Sequence, residues 1–133
     1  VNTLPLSGLL AHVVSALGAT GLFASTALVT AIHRSYPKRH DAPEDFKQLM
    51  TTGPYEFCRH PMYFFTMLAQ FSVAVTLLSL WGILIVAIQI PLWLYLIKLE
   101  EKELVAYWGE KYIEYMKRTP MLTPRPWRSQ KPT

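Results

Sequence analysis

The distribution of charge along the chain is the feature that most restricts its fold. Residues 1–33 and 60–97 contain no Asp, Glu, Lys or Arg, and all 13 Lys and Arg lie in residues 34–59 or 98–131. A soluble domain of 133 residues would place charges along every helix to solvate its outer face. Long uncharged stretches instead indicate segments that lie in the hydrocarbon of a bilayer. We therefore predict an all-α integral membrane protein formed by a single domain over residues 1–133.

Three membrane-spanning helices are predicted, over about residues 9–32, 62–79 and 82–98. The uncharged stretch 60–97 is too long for one crossing, so we interpret it as a helical hairpin with its turn near residues 79–82. Small side chains recur along the first span and favour close helix packing in lipid. These are Gly8, Ala11, Ser15, Ala19, Gly21 and Ser25.

The charges at the ends of the hairpin predict its orientation. The turn is uncharged whereas both outer ends carry basic residues, so we expect both ends to face the cytosol. Gln70 and Gln89 then fall at a similar depth, where we expect them to share a hydrogen bond. The pattern of residues 98–117 predicts an amphipathic helix at the cytosolic interface, and the C-terminus is expected on the same side.

The polar segments carry further expectations. We predict a short interfacial helix over residues 44–50, ended by Gly53 and Pro54. Because the basic segments flank apolar stretches, the net charge of +4 indicates contact with anionic membrane lipids and not nucleic acid. Tyr107 and Tyr115 are expected in an aromatic belt at the interface. The histidines lack a recognised ligand spacing, and no metal site is predicted.

Two polar clusters, residues 53–63 and 100–104, meet at the cytosolic ends of the predicted hairpin. A helix N-terminus beside Arg59 and His60 favours an anionic group. A helix C-terminus beside Glu100 and Glu101 favours a cation. A ligand that carries a carboxylate, an ammonium and a sulfonium matches both ends, and S-adenosylmethionine is such a ligand.

The motifs in these clusters resemble those of a known family. An Arg-His-Pro-x-Tyr motif begins at Arg59, and a Glu-Glu-x-x-Leu motif begins at Glu100. Further matching positions are Gly53, Pro54, Tyr55, Trp108, Gly109, Tyr112, Tyr115, Arg118, Pro120 and Pro124. This pattern is similar to the C-terminal half of the isoprenylcysteine carboxyl methyltransferases, and phospholipid N-methyltransferases share it. The resemblance covers about residues 47–124 and implies use of S-adenosylmethionine without a Rossmann domain.

The resemblance also implies roles for individual residues. The implied cofactor-binding residues are Lys47, Gln48, Leu49, Met50, Tyr55, His60, Pro61, Met62, Tyr63 and Glu100. The implied catalytic residues are Glu100, Glu101 and Arg59. In the prenylcysteine enzymes an Arg that contacts the substrate lies one helical turn before the Glu pair, whereas this chain has Leu96. We therefore expect a different lipophilic acceptor, with a carboxylate, an amine or a thiol as the nucleophile.

Two other functions fit part of the pattern. Membrane sterol reductases share the Arg-His-Pro-x-Tyr hairpin but bind a nicotinamide dinucleotide such as NADPH, and they usually lack the Glu pair. A non-catalytic membrane subunit could keep the same fold. Three spans are few to enclose an acceptor, so a homo-oligomer is an open alternative for each function.

Overall fold

The computed structural model describes residues 3–35, 49 and 51–124, whose regular structure is entirely helical. The helices are α1 Gly8–Ser35, a 3-10 helix Gly53–Glu56, α2 Pro61–Thr76, α3 Leu80–Trp108 and α4 Glu110–Arg118. The predicted all-α class is confirmed. Within these ranges, α1 and α3 are long and apolar enough to cross a membrane. With 16 residues, α2 is shorter than predicted and extends about 24 Å, against about 30 Å for a bilayer core.

Helices α1 and α2 run antiparallel and pack closely through small residues. A Cβ added at Gly18 would lie 2.6 Å from the backbone nitrogen of Thr76, so only glycine permits this approach. Beside it, the hydroxyl of Ser15 donates a 2.7 Å hydrogen bond to the Thr76 carbonyl. The packing expected of the small residues is confirmed at Ser15 and Gly21, and Gly18 adds a contact that was not predicted.

The hairpin between α2 and α3 turns at residues 77–79, slightly earlier than predicted. Ser79 ends the turn as the N-cap of α3, because its hydroxyl accepts the N–H of Gly82 at 3.0 Å. The N-terminal segment lies against this turn. The N–H groups of Thr3 and Leu4 both donate to the carbonyl of Leu78, at 2.9 and 3.0 Å. The start of α1 therefore lies at the opposite end of the bundle from the outer ends of the hairpin.

The hydrogen bond predicted between Gln70 and Gln89 is wrong. Among the described residues, the Oε1 atom of each glutamine is buried without a hydrogen-bond partner. The position of the turn explains this difference. A turn centred on Leu78 lies eight residues after Gln70 but eleven before Gln89. The two side chains therefore differ in depth by about 4.5 Å, which is the rise of three helical residues.

A bend at Gly109 replaces the continuous helix predicted over residues 98–117. α3 continues through Pro91 to Trp108, and Gly109 then adopts φ 59° and ψ −128° before α4 begins. The bend folds α4 back so that Tyr112 and Tyr115 are 0% and 1% exposed. The position of Tyr115 in an interfacial belt was therefore a wrong prediction, because its ring fills the protein core.

Candidate functional site

The N-terminus of α2 and the charged end of α3 meet as the sequence predicted. The Nε2 atom of His60, the N-cap residue of α2, lies 3.0 Å from Oε1 of Glu101. We call this meeting point of α2 and α3, around His60 and Glu101, the polar corner. A third segment of the chain also contacts it. The backbone N–H groups of Arg59 and His60 donate to the carbonyls of Pro120 and Met121, at 2.9 and 3.1 Å. These two donors, which precede the first turn of α2, therefore hold the C-terminal segment against the start of the helix.

Glu101 is the centre of a buried polar cluster. Its Oε1 atom lies 2.8 Å from Nη1 of Arg59 and accepts hydrogen bonds from Nε2 of His60 and the hydroxyl of Tyr112, at 3.0 and 3.4 Å. A carboxylate offers only acceptor atoms, so Nε2 of His60 carries the proton in this contact. The side chains of Arg59 and Glu101 are 8% and 7% exposed. The buried charge of Glu101 is thus balanced inside the protein.

Glu100 lies in a different environment from its neighbour. Its Oε2 atom accepts a 2.9 Å hydrogen bond from the hydroxyl of Tyr63, and its side chain is 15% exposed. Nδ1 of His60 lies 4.0 Å from Glu100 Oε1, so the two ring nitrogens of His60 face the two glutamates. The phenol of Tyr63 is neutral, so this hydrogen bond orients the Glu100 carboxylate without cancelling its charge.

An aromatic row leads from the glutamates along the hairpin. The ring of Tyr63 stands edge-on to His60 and to Trp93, with ring centroids 5.7 and 5.6 Å apart. Trp93 precedes Glu100 by seven residues, two helical turns along the same face of α3. Trp93 was not among the predicted site residues, although this spacing could have indicated it. The row connects a polar corner to an apolar helix surface.

A tyrosine-rich core supports the corner from α4. Tyr55, Leu104, Tyr112 and Tyr115 pack together, and Leu49 lies against them. The hydroxyl of Tyr115 donates a 2.6 Å hydrogen bond to the carbonyl of Tyr55. Tyr55 is only 2% exposed, so its ring belongs to this core.

The remaining predicted cofactor residues are distributed over several places. Met62 and Tyr63 lie in the first turn of α2 and are half-buried. Pro61 is buried and faces α1, lining a separate cleft. Lys47, Gln48 and Met50, together with most of the interfacial helix predicted over residues 44–50, lie outside the described residues. The structure thus joins Arg59, His60, Tyr63, Glu100 and Glu101 into one site.

The surface of the helices defines the class of the protein. Large apolar side chains face outward along α3, with Ile88 76% and Leu92 59% exposed. Such a surface is solvated by lipid and not by water. Together with the two long apolar helices, it describes an integral membrane protein with a polar site at one end.

Comparison with protein families agrees with this class. The family model described as phospholipid methyltransferase matches residues 11–111, so the chain belongs to the phospholipid methyltransferase family. No curated protein matches the chain. Membership of this family supports methyl transfer at a membrane, and it favours this function over the reductase and the non-catalytic subunit. The matched region contains His60, Tyr63 and both glutamates.

Proposed function

We propose that this methyltransferase uses S-adenosylmethionine and methylates an amino group of a membrane lipid. The proposal depends on one observation. Tyr63 orients the carboxylate of Glu100, while the neighbouring Glu101 is neutralised by Arg59 and His60. The corner therefore holds the Glu100 carboxylate in a fixed direction, beside an apolar helix surface. Such a corner suits a reaction between a cationic donor and a lipid-borne nucleophile.

The residues present fit the methyl donor. A sulfonium is cationic, and the Glu100 carboxylate with the rings of Tyr63 and Trp93 provides negative charge and π-electron density. When bound, S-adenosylmethionine supplies a methyl group already activated by its sulfonium. The chain then has to align the nucleophile with that carbon and exclude water. The buried tyrosine core and the fixed Tyr63–Glu100 pair provide a rigid frame for alignment.

The charge beside the site favours an amine as the acceptor. Glu100 would repel a carboxylate, and Leu96, one turn earlier on α3, offers no cation to hold one. An ammonium group is attracted by the same charge. It has to lose a proton before attack, and the Glu100 carboxylate, which Tyr63 orients, is the base that we assign to accept that proton. Leu96 is 39% exposed and apolar, which suits the chains of a lipid.

Arg59 and Glu101 were predicted to be catalytic, and we now assign them a positioning role. Their mutual ion pair is buried, and Glu101 fixes the ring of His60 through Nε2. His60 in turn contacts the ring of Tyr63, which holds Glu100. We place this corner on the cytosolic side, because basic residues flank the apolar helices at this end.

The experiment combines binding and turnover in detergent-purified protein. Calorimetric titration should show binding of S-adenosylmethionine and of its demethylated product. With a radiolabelled methyl donor, phosphatidylethanolamine should accept the label and a free fatty acid should not. Because Glu100→Gln removes the proton acceptor, it should slow transfer by about 10²-fold or more. Glu103→Gln, a substitution of an exposed glutamate on the same helix, is the control and should keep native activity.

Three outcomes would contradict the proposal. Absence of heat on titration with S-adenosylmethionine would contradict its assignment as the methyl donor. Labelling of the fatty acid without labelling of phosphatidylethanolamine would contradict the assignment of an amine as the methyl acceptor. Native turnover in Glu100→Gln would contradict the assignment of Glu100 as the proton acceptor.

A further inference from the structure

An apolar cleft of about 430 Å³ lies on the other side of α2 from the methyl-transfer site. Its walls come from the last turns of α1, the 3-10 helix, the start of α2 and the C-terminal segment. Pro61 and Phe65 of α2 face this cleft, whereas Tyr63 between them faces α3 and contacts Glu100 and Trp93. The first turn of α2 thus separates the cleft from the site, and a ligand of the cleft is a second ligand.

The lining of the cleft is suited to hydrocarbon. Of its ten described lining residues, only Ser35 and Cys58 carry a polar side-chain atom. The cavity volume falls within the roughly 300–1,000 Å³ typical of ligand pockets. A polar metabolite would find almost no hydrogen-bond partners there, so burying one would be unfavourable. An apolar acyl chain forms no hydrogen bonds, so it loses none when it enters the cleft.

The depth of the cleft indicates the source of such a chain. Leu28, Ala31 and Ile32 lie within the last two turns of α1, just before the exposed residues His33 and Arg34 in the chain. The cleft therefore begins where the apolar span gives way to charge, which is the depth at which acyl chains join their headgroups. Arg34 adjoins the lining residue Ser35 in the sequence and provides an exposed cation at this depth, complementary to a lipid phosphate.

We propose that this cleft binds an acyl chain of an anionic membrane phospholipid, with Arg34 against its phosphate. The chain of that lipid lies against Phe57 and Phe65, on either side in sequence of the segment that carries Arg59 and His60. The lipid thus supports the polar corner from behind, as a bound structural lipid. This site is distinct from the position of the methyl acceptor, and it does not depend on methyl transfer.

The test uses photo-crosslinking in vesicles without any methyl donor. The full chain is reconstituted in phosphatidylcholine vesicles that contain phosphatidylglycerol with a diazirine on one acyl chain, and labelled residues are identified by mass spectrometry. We expect labelling of Phe57 and Phe65 above that of the outward-facing Leu92. Ala31→Trp fills the cleft and should reduce this labelling several-fold. Thr30→Trp, an exposed position on α1 outside the lining, should not.

The headgroup is tested separately. When the same diazirine chain is carried by phosphatidylcholine, labelling of the cleft should be weaker, and Arg34→Ala should remove the preference for phosphatidylglycerol. Circular dichroism of Ala31→Trp confirms that the variant folds. If its labelling equals that of the native protein while it is folded, the proposal is overturned. Labelling of Phe57 and Phe65 no stronger than that of Leu92 in the native protein would overturn it equally.

Because no methyl donor is present, these readouts are independent of the proposed function. Loss of lipid labelling with intact methyl transfer would reject the lipid site alone. Lipid labelling in a protein without transferase activity would reject the proposed function alone.

Discussion

Glu100 and Glu101 are neighbours in the chain, but the fold gives them different tasks. Successive residues of a helix point about 100° apart. Glu101 therefore faces Arg59, His60 and the α4 residue Tyr112, whereas Glu100 faces Tyr63. The resemblance implied cofactor binding for Glu100 and catalysis for both glutamates, but it could not show which groups each carboxylate contacts. That distinction depends on α4, whose return toward α3 is not encoded in the motif.

The difference between the glutamates predicts a stability effect. Glu101→Gln leaves the Arg59 guanidinium buried without its counter-charge, which should destabilise the fold by about 3–5 kcal/mol. Thermal unfolding in detergent micelles measures this loss. Glu103→Gln, at an exposed position on the same helix, should unfold at the native temperature. If Glu101→Gln also unfolds there, the buried ion pair does not hold the corner together.

At the scale of the helices, the bend between α3 and α4 shows where sequence reasoning was insufficient. The apolar spacing at Leu104, Trp108, Tyr112 and Tyr115 continues through the bend, because both helices face the same core. Periodicity alone therefore predicted one helix over residues 98–117. Gly109 was the local signal, since its φ of 59° is unfavourable for residues with a Cβ.

The bend leads to a second prediction. Gly109→Ala should destabilise the protein by about 1–3 kcal/mol through backbone strain. Among the described residues no atom lies within 4 Å of the added Cβ, so the effect is conformational and not a steric clash. Chemical denaturation followed by circular dichroism gives the change. Ala106→Ser, an exposed change one turn earlier, serves as the reference, and equal midpoints for the two variants would refute the strained bend.

At the scale of the whole molecule, the charge-free stretches predicted most of the architecture. They indicated a helical hairpin whose ends meet, and His60 and Glu101 do meet. They could not predict that Pro120 and Met121 complete the corner, because that contact uses backbone groups that any residue possesses. The pairing of Gln70 and Gln89 failed for a related reason, since a small shift of the turn changes their relative depth.

The orientation of the molecule gives a third prediction. Basic residues at the site end should keep that end in the cytosol. In intact cells, a membrane-impermeant maleimide should therefore label Trp81→Cys beside the hairpin turn but not Glu114→Cys on α4. Both positions are exposed in the folded protein. Both variants carry Cys58→Ser to remove the native thiol. The opposite pattern of labelling would invert the proposed topology.

The hydrogen bonds from Arg59 and His60 to Pro120 and Met121 have a consequence for biosynthesis. The apolar helices precede these carbonyls in the chain and can enter the bilayer while translation is still under way. The polar corner, however, cannot close until the ribosome has released the segment that follows α4. Insertion and closure of the polar corner are therefore separate events in time. A nascent protein already in the membrane has an open corner until the segment with Pro120 and Met121 folds back.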